Sequence, residues 1–126
     1  MYYPTYYDRL KKFIESVRSD LDLKDVPFLL GGLGDYLGEC PLGDDLKNYI
    51  HINSALKELA DSDEMIGFVP AVGLGSNPDK LHFNAKALYE FGIRYFDEYE
   101  KLRKEEALLN KVVCEDDSVR NYIETL

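Results

Sequence analysis

The sequence predicts an α/β domain built on a parallel sheet, and two observations carry that prediction. Two short, continuously apolar segments, Val26–Leu30 and Met65–Val69, each run into glycine or proline, as strands buried on both faces do. Three amphipathic segments alternate with them, giving the order helix, strand, helix, strand, helix, which is the order of βαβ units.

The first helix is expected over Thr5–Asp20. Leu10, Phe13, Ile14, Val17 and Leu21 recur at spacings of three and four and make one apolar stripe, with Lys11, Lys12, Glu15 and Arg18 off it. Pro4 suits the helix start, where a missing N–H costs little. The first strand, Val26–Leu30, ends in Gly31-Gly32-Leu33-Gly34, and Gly38, Pro41 and Gly43 make the next dozen residues a loop. A second helix is expected over Asp44–Ala60, with Asp44 or Asp45 as N-cap and Leu46, Ile50, Asn53, Leu56, Leu59 and Ala60 along one face. The strand Met65–Val69 leads into a loop over 70–82 rich in glycine, serine, asparagine and proline. A third, long helix is expected from Asn84, with Ala87, Leu88, Phe91, Tyr95 and Leu102 inward. Its charge run at 97–106 sets Asp97 four residues from Lys101 and Glu100 four from Lys104, pairs that stabilise a solvated helix by a few tenths of a kcal/mol each. The tail, Val112–Leu126, is expected to close with one short helix. Two strands make a poor sheet, so more cover is expected, from the same fold or from a partner.

The 126 residues fit one domain over 1–126, and a content of 45% hydrophobic and 13% aromatic residues is that of a globular chain. A formal charge of −9 repels phosphate backbones and sets nucleic acid aside. The N-terminal residues have neither the basic start nor the apolar core of a secretory leader, and no apolar run approaches a membrane span. Cys40 and Cys114 are the only cysteines, read as reduced thiols of a cytoplasmic protein. Two histidines, without spaced cysteine or carboxylate partners, are too few for a metal site. The glycines at 31–34 lack the spacing of a phosphate cradle, so no cofactor is expected.

The chemistry concentrates in Gly73-Leu74-Gly75-Ser76-Asn77-Pro78-Asp79-Lys80-Leu81-His82-Phe83-Asn84. This stretch follows a buried strand and opens a helix, where open α/β sheets bind ligands. Asp79 and His82 are three apart, which brings both side chains to one side of a turn. A carboxylate beside an imidazole fixes its tautomer and stabilises the imidazolium. His82 would then serve as a general base towards a hydroxyl nucleophile. Asp79 could equally satisfy amide groups at the start of the following helix. His51 reads as a surface or helix-packing residue, and Gly92 as a point of close packing of helix on sheet. The tyrosines Tyr2, Tyr3, Tyr6 and Tyr7 could stack on a sugar or pack within the domain.

Asp79-Lys80-Leu81-His82-Phe83, then Ala85, then Phe91-Gly92-Ile93-Arg94-Tyr95-Phe96 resembles the final block of SGNH hydrolases, in the branch of sialate O-acetylesterases and acetylxylan-esterase-related proteins. The segments Val17–Leu21, Val26–Gly34 and Ile52–Leu56 resemble the stretches before it, so the resemblance covers roughly residues 5–100. It implies a partial three-layer α/β/α fold (flavodoxin-like), its C-terminal half only, with Asp79 and His82 as acid and base of a triad and an acetylated carbohydrate as substrate. The family's nucleophile block, Gly-Gln-Ser-Asn, and its second block, Gln-Gly-Glu-Ser-Asp, do not occur here. Gly32 also stands where relatives often carry Glu or Gln. Of the serines, only Ser76 lies near the motif, in a loop unlike the family's nucleophile elbow. Three expectations follow: an esterase completed by an N-terminal half, an inactive remnant that binds partners or forms a homo-oligomer, or a fragment with no independent role.

Overall fold

The computed structural model describes the backbone over residues 3–124 and the side chains of residues 3–105, 107 and 108. A short 3-10 turn, Tyr3–Thr5, leads into α1 (Tyr6–Asp20). Then come β1 (Phe28–Gly31), α2 (Tyr49–Asp61), β2 (Ile66–Val69) and α3 (Ala85–Glu124). The chain is α/β: β1 and β2 pair in parallel, Phe28 opposite Ile66 and Gly31 opposite Val69, with α2 as the crossover.

The two faces of this small sheet follow from strand alternation. Phe28, Leu30, Ile66 and Phe68 face α1 and α2, packing with Ile14, Ile52, Leu56 and Leu59. Leu29 and Val69 face α3 and pack with Ala87, Phe91 and Tyr95. Helices therefore cover both faces of the sheet. On the α3 side two strand positions are glycines for a steric reason. A Cβ on Gly31 would land on the Tyr95 ring, and one on Gly67 would meet Glu98 and Leu102 side-chain carbons at 2.8 and 2.9 Å.

Arg18 fastens α1 to the start of both strands. Its guanidinium donates to the Met65 carbonyl at 2.9 Å and the Val26 carbonyl at 3.4 Å, and pairs with Asp63 at 3.5 Å. Asn53, expected on an apolar face, instead brackets the backbone of Leu33 just beyond β1: its Oδ1 accepts the Leu33 N–H at 2.7 Å and its Nδ2 donates to the Leu33 carbonyl at 2.9 Å.

Several expectations need correcting. The segment expected to begin the second helix is a 3-10 turn, Asp44–Asn48, in which Lys47 pairs with Asp44 one tight turn earlier at 3.2 Å. α2 starts at Tyr49, and neither Asp44 nor Asp45 caps it. The tail does not form a separate helix, because α3 runs unbroken for 40 residues to Glu124. No glycine or proline follows Gly92 to stop it. Gly92 is not a close-packing point: nothing lies within 4 Å of where its Cβ would be. The close approach belongs to Gly31 and Gly67. On α3 the ion pair is Arg94–Glu90 at 2.8 Å, and the expected Asp97–Lys101 and Glu100–Lys104 pairs are not among those of the described residues. No described helix is long and apolar enough to cross a membrane. The Tyr2 and Cys114 side chains lie outside the described residues.

Candidate active site

The loop between β2 and α3 carries the site, and its fold is local and dense. Ser76 and Phe83 form an isolated antiparallel bridge. Inside it the Asn77 N–H donates to the His82 carbonyl at 2.8 Å and the Lys80 N–H to the Asn77 carbonyl at 3.1 Å. Lys80 takes the left-handed conformation, φ 54°, which folds the chain back sharply enough to bring Asp79 and His82 together. Left-handed backbone away from glycine and asparagine costs of order 1 kcal/mol and needs such bonds to hold it.

Asp79 is the hub. Its Oδ2 lies 2.7 Å from His82 Nδ1, while its Oδ1 accepts the backbone N–H of Leu81 at 2.9 Å and of His82 at 3.1 Å. The hydrogen bond with the His82 ring, and then the Leu81 and His82 amides, lower the Asp79 carboxyl from 3.8 to about 2. The carboxylate is therefore ionised at neutral pH. The expected capping role and the expected His partnership coexist on its two oxygens, but the amides it caps belong to this turn. The helix start is capped by Asn84, whose Oδ1 accepts the Ala87 N–H at 2.8 Å. The His82 side chain is 68% exposed, open to a reactant from solvent.

A second tier holds this turn from below, and the sequence reading did not single it out. After β1 the chain makes a 3-10 turn, Asp35–Glu39. The Asp35 carboxylate accepts the Gly73 N–H at 2.9 Å, Tyr36 packs edge-on against Phe83 at 5.4 Å, Glu39 pairs with Lys80 at 3.4 Å, and the buried Cys40 thiol donates to the Asp79 carbonyl at 3.8 Å. Burial, and then the charge of Asp79, raise the Tyr36 phenol above its usual range. Cys40 is thus a packed strut of the site. Arg94, noticed only as a match of pattern, donates to the carbonyls of Pro70 and Val72, both at 2.9 Å, and ties the loop's entry to α3. A glycine-bounded loop gave no signal for these contacts, which span 20 to 40 positions of sequence.

Among the described residues, no serine hydrogen-bonds the His82 ring, whose Nδ1 is held by Asp79. Ser54 and Ser62 donate to carbonyls of their own helix end, Ile50 and Leu59, and Ser16 and Ser19 lie on α1. Ser76 is opposite Phe83 in the bridge, and its carbonyl accepts from the Asn84 side-chain amide at 3.4 Å. His51 stacks on Tyr3, ring centroids 4.4 Å apart, and Tyr6 and Tyr7 pack against the α1–α2 core. No group of three or more metal-binding side chains occurs among the described residues.

A family model described as carbohydrate esterase, sialic acid-specific acetylesterase, matches residues 2–101. Among curated proteins, none matches.

Proposed function

As the chain belongs to the carbohydrate esterases of the sialic acid-specific acetylesterase family, we propose that Asp79 and His82 are the acid–base pair of acetyl-ester hydrolysis on a sugar, completed by a nucleophile from an N-terminal half that carries a Gly-Gln-Ser-Asn block. The observation that carries this reading is the 2.7 Å contact between Asp79 Oδ2 and His82 Nδ1. It commits Nδ1 to the carboxylate and leaves Nε2 to face the reaction. His82 Nε2 takes the proton of a serine hydroxyl as its oxygen attacks the acetyl carbonyl. The imidazolium so formed is stabilised by ionised Asp79 and returns the proton to the departing sugar oxygen. Water then enters by the same route and releases acetate. The fixed turn supports this by holding the pair before substrate arrives, so no ordering is needed in the transition state.

The test mixes the purified chain with a polypeptide carrying a Gly-Gln-Ser-Asn block and follows hydrolysis of a simple acetyl ester. Hydrolysis that needs both chains and is lost with His82→Ala is the expected result. A folded complex of the two that stays inactive refutes the proposal.

A further inference from the structure

Between β2 and the Asp79–His82 turn the chain makes one earlier tight turn. The Leu74 N–H donates to the Ala71 carbonyl at 3.2 Å, so Val72 and Gly73 are its central residues. Gly73 has φ 79°, and among the described non-glycine residues only Asp22 and Lys80 have positive φ, so Val72 does not. A positive φ at the second central residue alone defines a type II turn, and glycine takes that angle without strain. A Cβ on Gly73 would meet nothing within 4 Å. The glycine therefore serves the backbone angle and not a close approach.

A type II turn differs from the commoner type I in the direction of its central peptide, here Val72–Gly73. That peptide is gripped at both ends. Its carbonyl, on Val72, accepts from Arg94 Nη1 at 2.9 Å. Its N–H, on Gly73, donates to the Asp35 carboxylate at 2.9 Å. A trans peptide points these two groups in opposite directions, and each meets the charge that strengthens its hydrogen bond. Arg94 comes from α3 and Asp35 from the 3-10 turn after β1. Nη1 also takes the Pro70 carbonyl at 2.9 Å, and Glu90, one helical turn earlier, holds Nη2 at 2.8 Å, so the guanidinium is aimed. A flipped peptide would set an N–H against the cation and a carbonyl against the anion.

From this turn a chain of contacts runs to His82. Leu74 is buried and fixes the exit. The Gly75 carbonyl accepts the Asn84 N–H at 3.2 Å, and the Ser76 carbonyl accepts Asn84 Nδ2 at 3.4 Å. Ser76 bridges Phe83, and the Asn77 N–H donates to the His82 carbonyl at 2.8 Å. Residues 74–77 are thus the strand against which His82-Phe83-Asn84 is laid. The direction in which they leave the turn sets where the imidazole stands.

Resting on the reading of His82 as the base of ester hydrolysis, we propose that Arg94 and Asp35 are positioning residues that act as one clamp on the Val72–Gly73 peptide, and that this clamp sets the place of the His82 ring. Both act through the backbone of 72–77. The two jaws are not independent, so loss of either releases the peptide and loss of the second adds little.

Arg94→Met, Asp35→Ala and the double variant test the clamp, with the Gly73 amide and the His82 ring followed by NMR of the chain alone. Each single variant is expected to move both sets of signals while helix content by circular dichroism holds. The double variant is expected to move them little further. Asp35→Asn keeps an oxygen for the Gly73 N–H and is expected to return the His82 signals most of the way to wild type. Gly73→Ala, whose methyl meets no neighbour, is expected to disturb them through φ alone. With the Gly-Gln-Ser-Asn polypeptide added, the single variants are expected to lower kcat by up to ~100-fold with KM little changed, the cost of a displaced catalytic group. His82 signals unmoved in both single variants, or shifts that simply add in the double variant, overturn the proposal. So does a kcat that the single variants leave unchanged beside an active wild type. Because the NMR uses the chain alone, it decides the clamp by itself, and an inactive wild-type mixture counts against the esterase reading only.

Discussion

His82 has one ring nitrogen spoken for. Asp79 Oδ2 holds Nδ1 at 2.7 Å, and three hydrogen bonds converge on the Asp79 carboxylate. Asp79→Asn removes the charge and offers a donor where an acceptor is needed. In the reconstituted assay it is expected to cut kcat by ~1,000- to 10,000-fold, the cost of a wrong tautomer in a related triad. The pH dependence has a definite sign. The folded-state value of Asp79, about 2, lies below its ordinary 3.8. Its contribution to stability is therefore fully present above about pH 4 and is lost as pH falls towards 2. Acid unfolding of wild type and Asp79→Asn should differ above that window and converge below it. Lys80 is the strained member, at φ 54°. Lys80→Gly relieves the strain and loses only an exposed ion pair with Glu39, worth ~0–1 kcal/mol. Its unfolding free energy is expected to hold or rise by up to about 1 kcal/mol. The Asp-x-x-His spacing made the pair legible in the sequence. The strain at Lys80 was not, because nothing in a lysine announces a left-handed backbone. The Cys40 strut was hidden for another reason, since its partner is a main-chain carbonyl 39 positions away.

Among the elements, strands proved the most legible, since a continuous apolar run ending in glycine has few other meanings. Both fell within two residues of expectation, Phe28–Gly31 and Ile66–Val69. Helix starts were less so. Asp44 and Asp45 have the chemistry of an N-cap but sit in a 3-10 turn, where local i→i+3 bonds compete with the α-helix. Glycines misled in an instructive way. Gly92 interrupts a helix and invites a packing explanation, yet it has open space; the glycines that permit close approach are in the strands. Gly67→Ala is expected to destabilise the chain by about 1–3 kcal/mol, because its methyl would enter the Glu98 and Leu102 side chains. Gly92→Ala is expected to stabilise it by about 0.5–1 kcal/mol through helix propensity. Denaturant unfolding of the two variants separates these signs, and a shared sign would mean that α3 does not lie on the sheet as described.

At the scale of the whole molecule, the alternation of strands and helices gave the α/β class, and the shortage of strands gave the need for further cover. The ties that hold the layers arise only in the fold, as when Arg18 reaches the Met65 carbonyl 47 positions away. An acidic cleft walled by Asp61, Asp63, Glu64, Glu98 and Glu105 lies between α2 and α3 beyond β2. The proposed acid–base pair sits in the loop after β2, where Asp79 Oδ2 lies 2.7 Å from His82 Nδ1.

The measurement that bears most directly on the catalytic reading is the tautomer and hydrogen bonding of His82 in solution, followed by nitrogen and proton NMR of the imidazole. The expected result is a neutral ring with its proton on Nδ1, shifted downfield by Asp79, with Nε2 as the free acceptor, and loss of that signature in Asp79→Asn. A proton resting on Nε2, or a ring indifferent to Asp79→Asn, would contradict the assignment of His82 as a poised general base.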